Sequence, residues 1–352
     1  MRAPNLAAPA VSLRGVPLVE VRDLRIAFRT KDGLVRAVNG VSFRIDAGEI
    51  IGVVGESGSG KTLSLLGVMG LINDPNAVIE GSVRFRGREL IGLKPRQMRE
   101  LRGREIAMIF QDPMSALTPV YTIGWQIIEQ LRAHTDLSRR AARDQAAALL
   151  HAVGIPTPTS TLDRYPYELS GGMRQRAFIA MALSCRPALL IADEPTTALD
   201  VTVQAQILEL LARLRSEFGS AIAIVTHDLG VVAEITDRVV VMYGGRIVEE
   251  GGKRAIFSDP QHPYTWGLLD SIPPLRGPRL ARLNSIPGSP PSPLARGTGC
   301  AFAQRCVFRA EVCDAEPTLQ GEHMHRSACF LPPIGRAAVR AARKPARGGH
   351  EL

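Results

Sequence analysis

Between residues 18 and 47 apolar and polar positions alternate, with turn signals at Asp32-Gly33 and Asn39-Gly40. A period of two belongs to strands with one buried face, so this stretch predicts short strands of a partly antiparallel sheet. The pattern then changes. Ile50–Val54 is an unbroken apolar run ending in a glycine-rich turn, and similar runs recur at 106–110, 189–192, 222–225 and 239–242. Short continuous runs of this kind mark strands covered on both faces of a parallel sheet. Helical spacing lies between them at 138–153 and 172–184, the second stretch entered through a Ser-Gly-Gly turn. The expectation is an α/β fold. From about residue 255 the texture shifts again, with nine prolines between 260 and 293, which predicts an extended connector. Beyond it, residues 300–329 hold four of the five cysteines, and a basic tail follows.

Composition narrows the class. The chain has 352 residues, which suggests one large domain or two ordinary ones, because single cores stop growing beyond roughly 250 residues. An apolar share of 45% with 33 glycines fits a globular α/β protein and excludes fibrous and disulfide-dense classes. No apolar run approaches the roughly 18 residues needed to cross a bilayer. Pro4, Pro9 and Pro17 break the N-terminal stretch, so no secretory signal is expected and the chain should stay on the cytoplasmic side. The net charge of +9 owes much to Arg336, Arg340, Arg343, Lys344 and Arg347, which face only Glu351. No aromatic residues interleave with them, so no nucleic-acid partner is expected.

The chemistry is concentrated in a few segments. Gly55-Glu56-Ser57-Gly58-Ser59-Gly60-Lys61-Thr62 fits the pattern G-x-x-x-x-G-K-[ST] and follows an apolar strand, the context a P-loop requires. Its glycines let amides curl around phosphates, Lys61 can reach the β and γ oxygens, and Thr62 can hold Mg²⁺. The run 189–192 ends in Asp193 and Glu194, placing one carboxylate to hold a Mg²⁺-bound water and the other to polarise an attacking water. A neighbouring run ends in Thr226-His227, so His227 can reach a γ-phosphate, although a strand-end histidine also serves as a plain polar cap. Ser170-Gly171-Gly172 opens a helix and offers a second phosphate-binding N-terminus, which one chain cannot easily aim at the same nucleotide as its P-loop.

The order P-loop, Gln111, Leu169-Ser170-Gly171-Gly172, Asp193-Glu194, Ala198-Leu199-Asp200, His227 resembles the ATP-binding cassette subunits, over about residues 16–252. That resemblance implies a cassette with a mostly parallel core, an antiparallel β subdomain and a helical subdomain. It also implies two cassettes sandwiching two ATP molecules, each site using one chain's P-loop and the other's signature loop. By motif match Ser170, Gly171 and Gly172 would serve ATP held by the partner, Asp200 would couple the two sites, and Gln111 would sense Mg²⁺ and a membrane subunit. Phe28 stands where the family stacks adenine, with a core Phe as the rival reading.

Narrower features resemble the oligopeptide and dipeptide importers: Phe110-Gln111-Asp112-Pro113-Met114, Tyr165-Pro166-Tyr167-Glu168-Leu169 and His262-Pro263-Tyr264-Thr265. Thr118, Tyr167 and Thr62 depart from the usual residues without removing the hydroxyl at Mg²⁺. The resemblance implies a second, different cassette chain, two membrane-spanning permease subunits, a solute-binding protein, and a peripheral position on the cytoplasmic membrane. The expected organisation is a tail at 1–16, the cassette at 17–254, a connector with a small cysteine-bearing domain at 255–332, and a basic tail at 333–352.

Cys300, Cys306, Cys313 and Cys329 follow the spacing C-x5-C-x6-C-x15-C. In a cytoplasmic protein clustered thiols point to metal or iron-sulfur before disulfides. Structural zinc usually draws on tight C-x2-C pairs and none occurs here, so the expected group is [4Fe-4S], with Zn²⁺ as the alternative and four buried reduced thiols as the plain reading. Cys185 fits the plain reading and is left outside the set.

Overall fold

The computed structural model describes residues 16–112, 116–196, 201–272, 286–291, 294, 298–322, 325–333 and 335–343. In chain order the elements that position the site are β1 (Val19–Thr30), β2 (Gly33–Ile45), β3 (Ile50–Val54), α1 (Lys61–Met69), β4 (Ala77–Phe85), β5 (Arg88–Glu89) and β6 (Ile106–Ile109). They are followed by α2 (Ile123–His134), α3 (Arg139–Ala152), α4 (Gly171–Ala182), β7 (Leu189–Asp193), α5 (Val201–Phe218), β8 (Ala221–Thr226) and α6 (Leu229–Ile235). β9 (Arg238–Tyr243), β10 (Arg246–Gly252), α7 (Pro263–Asp270), β11 (Gln320–Glu322) and β12 (His325–Ser327) complete the set.

The apolar runs of the sequence become the strands of the larger sheet's parallel part. β3, β7 and β8 are buried at every position, as is β6, and they lie parallel in a sheet ordered β11-β12-β10-β9-β3-β8-β7-β6 among the described residues. Burial on both faces explains why these strands carry no alternation. The alternating N-terminal segment forms the smaller antiparallel sheet β2-β1-β4-β5. Leu24, Ile26, Val41, Phe43 and Val83 pack with Ile51, Val53, Leu65 and Val68 to form the core between the two layers. A second core lies among α2, α3, α4 and α5, where Ile127, Leu131, Ala142, Ala146, Leu150 and Phe178 pack together. Ser138 caps α3 by accepting from the Ala141 amide at 3.2 Å, one residue from the expected helix start.

Two local expectations are corrected. Asp32 does sit in the β1–β2 turn, but Asn39-Gly40 lies inside β2, where pairing steps from Leu24–Val41 to Arg25–Asn39 and skips Gly40. This is a β-bulge, with Gly40 at φ +78, so the dipeptide bends a strand without reversing the chain. The expected extended connector after residue 255 is helical at its start, since α7 runs over Pro263–Asp270 with His262 as its cap. Pro263 occupies the first helical turn, where its missing N–H is no loss.

The cysteine-bearing segment joins the larger sheet. β12 pairs antiparallel with β10, and β11 extends that edge. Phe302 packs with Tyr243 and Tyr264 against Val54, Val239 and Val241, so the segment shares a core with the cassette. Glu249, fully buried, accepts from His325 Nε2 at 2.7 Å and from the amides of Gln261 and His262 at 2.6 and 2.9 Å. His262 is neutral, its pKa lowered to about 3 chiefly by burial, and its Nδ1 accepts from the Tyr264 amide. Among the described residues no helix is long and apolar enough to cross a membrane.

Candidate functional site

β3 delivers the P-loop and α1 receives it. Gly55, Gly58 and Gly60 take φ values of +150, +74 and +99, a region that side chains strongly disfavour. A Cβ on Gly55 would lie 2.1 Å from the Met242 carbonyl, and one on Gly60 would lie 2.8 Å from the Ala37 carbonyl. Gly58, by contrast, opens onto free space. Ser57 is exposed, whereas Ser59 is buried and its hydroxyl has no partner, an orphan that a phosphate oxygen would satisfy.

Lys61 is only 6% exposed. Its Nζ donates to the carbonyls of Gly55 and Glu56 at 2.7 and 3.0 Å, folded back across the loop it would share with a nucleotide. Burial lowers its pKa, and the carboxylates of Glu194, Asp193 and Glu56 oppose that shift. Thr62 Oγ1 donates to Asp193 Oδ1 at 3.0 Å, so two of the three residues expected at Mg²⁺ touch, while the third, Gln111, is turned to Glu194. Asp193 is held above the usual carboxylate range, first by burial, with the Thr62 hydrogen bond acting against it.

Glu194 stands between two partners. Gln111 Nε2 donates to one carboxylate oxygen at 3.0 Å, and His227 Nδ1 lies 3.0 Å from the other. Two residues, each just past a strand that flanks β7, thus converge on one carboxylate at the end of β7. Glu194 also has φ +46, an uncommon conformation for a non-glycine residue that is frequent where function constrains the backbone. Its amide donates to the Val225 carbonyl and ties β7 to β8 beneath the site.

The signature loop points elsewhere. Ser170 caps α4 by accepting from the Met173 amide at 3.3 Å, and Ser170 and Gly171 are exposed, so this helix start is open to a second molecule. Gln175, buried on the same helix, donates to the Pro195 carbonyl at 2.8 Å and couples α4 to the acidic strand end. Phe28 is half-buried against the inter-sheet core on β1. Asp200, with Ala198 and Leu199, lies outside the described residues.

Matches to known proteins agree with this geometry. A family model described as "ABC transporter" matches residues 38–197, and one described as "Oligopeptide/dipeptide transporter, C-terminal region" matches 248–313. The oligopeptide transport ATP-binding protein OppD of Salmonella typhimurium is 50% identical over 316 residues, covering 90% of this chain and 94% of that one. The chain belongs to the ATPase subunits of the ABC transporter family. This ABC ATPase is also 46% identical to the dipeptide transport ATP-binding protein DppD of Haemophilus influenzae, over 90% of its own length and 96% of that relative. A dimeric structure of the ATP-binding cassette MJ0796 with ADP and Pi matches at a TM-score of 0.61 and 27% identity, covering 67% of this chain and 99% of that one.

The ABC ATPase's C-terminal cysteines come together. Cys300, Cys306, Cys313 and Cys329 line one cavity of about 180 Å³, and all are free thiols. Cys300, Cys306 and Cys329 are pushed up, first by burial and then by neighbouring thiols, Cys306 to about 11. Even so, among the described residues no group of three or more His, Cys, Asp or Glu stands ready to hold a metal ion. The donor chemistry suits a thiophilic group, but the sulfurs would have to draw closer to bind one.

Sequence reasoning missed Arg305, which reaches the P-loop from the cysteine segment. It donates to both Glu56 oxygens at 2.6 and 3.1 Å. An ion pair across 249 positions leaves no local signal in a sequence.

Proposed function

We propose that this ATPase energises an importer of oligopeptides, dipeptides or a related solute, docked peripherally on the cytoplasmic face of the membrane. The observation that carries the reading is the convergence of Gln111 and His227 on Glu194 beside the Thr62–Asp193 pair. The relatives named for peptide transport supply the substrate class.

In this reading Glu194 accepts a proton from the attacking water while Gln111 and His227 fix its orientation. Lys61 leaves its two carbonyls to neutralise the β and γ oxygens, and the Ser57, Ser59 and Gly60 region wraps them with the start of α1. Thr62 and Asp193, with Gln111, would hold Mg²⁺, which would offset phosphate charge. Phe28 stacks on adenine from near the C-terminal end of β1, an interior strand of the antiparallel sheet.

Ser170, Gly171 and Gly172 serve ATP bound to a second, different cassette, and Asp200 links the two sites. The exposure of Ser170 and Gly171 supports this division of labour. Two permease subunits and a solute-binding protein complete the assembly. Val120, Tyr121 and Trp125, apolar yet 70%, 42% and 41% exposed just past Gln111, fit a face that covers itself on a permease. No nucleic acid takes part.

The four C-terminal cysteines hold a [4Fe-4S] group as a structural staple, with zinc as the competing occupant. The four free thiols around one cavity support it. Protein purified without oxygen should be brown, with iron and acid-labile sulfide in near-equal amounts. Stoichiometric zinc without either would overturn that assignment. The transport reading is tested by vesicles carrying the permeases and both cassettes: ATP-driven peptide uptake is expected, and full ATPase activity with no uptake of peptide by the assembled complex would refute it.

A further inference from the structure

Arg305 sits in the 3-10 turn Ala303–Arg305, directly before Cys306, yet its guanidinium ends inside the P-loop. Nη1 and Nη2 grip the two Glu56 oxygens as a fork, with the Arg305 side chain 5% exposed and Glu56 27%. The remaining donors are also used. Nε donates to the Pro287 carbonyl at 2.8 Å, Nη2 to the Ile286 carbonyl at 3.1 Å, and Nη1 to the Tyr243 hydroxyl at 3.2 Å. From the other side, the Glu56 amide donates to the Tyr264 hydroxyl at 2.8 Å. Glu56 is therefore held at its side chain and its backbone, while its carbonyl accepts from Lys61 Nζ at 3.0 Å.

A carboxylate in this place needs explaining. Glu56 stands in a loop built to bind a polyanion, and an unpaired negative charge there opposes the phosphates. A planar fork neutralises both oxygens and fixes their plane at once, which a lysine cannot do. The fork itself is fixed by two backbone carbonyls and a buried tyrosine, so it is organised before any nucleotide arrives.

We propose that Arg305 is a positioning residue for the P-loop: it cancels the charge of Glu56 and holds the loop open for phosphate, so that the cysteine segment sets nucleotide affinity. The inference needs only the ATP site and is independent of what the cysteines hold. It makes Arg305 act through Glu56 and not through general support of the fold.

The test is a double-mutant cycle on the full-length chain, read as the Kd for ATP by isothermal titration. Arg305→Met should weaken ATP binding by about tenfold while Glu56 is present, within the range of couplings between linked sites. In the Glu56→Gln background, where no charge is left to neutralise, the same change should cost about twofold or less. Arg305→Lys should fall between wild type and Met, because charge is restored without the fork. Equal losses in both backgrounds, or no loss with Glu56 present, would overturn the proposal. Where Arg305→Met does not fold, Arg305→Lys is carried through the same two backgrounds under the same criterion. Failure of the wild-type chain to bind ATP would instead sink the nucleotide site itself.

Discussion

Replacing Glu194 with Gln removes one charge and almost no volume. The carboxylate accepts from Gln111 Nε2 and is paired with His227 Nδ1, both at 3.0 Å, and a carboxamide can keep both contacts when the imidazole takes the tautomer protonated on Nε2, so that Nδ1 accepts. No hydrogen bond of the phosphate cradle involves Glu194, since Lys61 is held by Gly55 and Glu56 and Thr62 by Asp193, although the Glu194 charge does help keep Lys61 protonated. What disappears is the proposed base. General-base catalysis contributes roughly 10²- to 10⁴-fold, so a loss of about 10³ in turnover, or about 4 kcal/mol of barrier, is expected. ATP affinity should stay within about threefold, because the lost interaction belongs to the transition state. The assay follows phosphate release from a pair of cassettes whose other site is inactivated, with nucleotide binding measured separately. Turnover above about a tenth of wild type would mean that another group activates the water.

Lys61→Ala should act in the opposite way, weakening ATP binding itself by about 100-fold as the cation proposed to face the β and γ oxygens is lost; equilibrium dialysis with labelled ATP would expose the error if affinity is normal. Asp193→Asn should abolish Mg²⁺ dependence and also stabilise the nucleotide-free chain. The folded-state pKa of Asp193 is raised by burial, so wild-type stability falls as pH rises from the unfolded value of about 3.9 through the folded one. The variant should therefore show a higher Tm at pH 7 and little difference below about pH 3, and an unchanged Tm at pH 7 would count against a buried, charged Asp193.

The parallel core was legible because burial on both faces writes a continuous apolar run, as in Ile50–Val54 and residues 189–192. The site was legible for a related reason, since P-loop chemistry needs glycines at fixed offsets and carboxylates at a strand end. Asn39-Gly40 was misread because a positive-φ glycine serves a bulge as well as a turn, and only the partner strand distinguishes them. Helix α7 was hidden by prolines that read as an extended chain, although Pro263 sits where a helix accepts one. The Arg305–Glu56 pair and the Glu249–His325 pair join distant positions, and neither has a periodicity to betray it.

The central claim is that ATP is hydrolysed at a site that a second chain completes. Specific ATPase activity across a dilution series, for the chain alone and with its partner cassette, tests this most directly. The account predicts low activity alone, higher activity with the partner, and a specific activity that falls on dilution as the pair separates. A high specific activity of the isolated chain, unchanged by dilution, would contradict it.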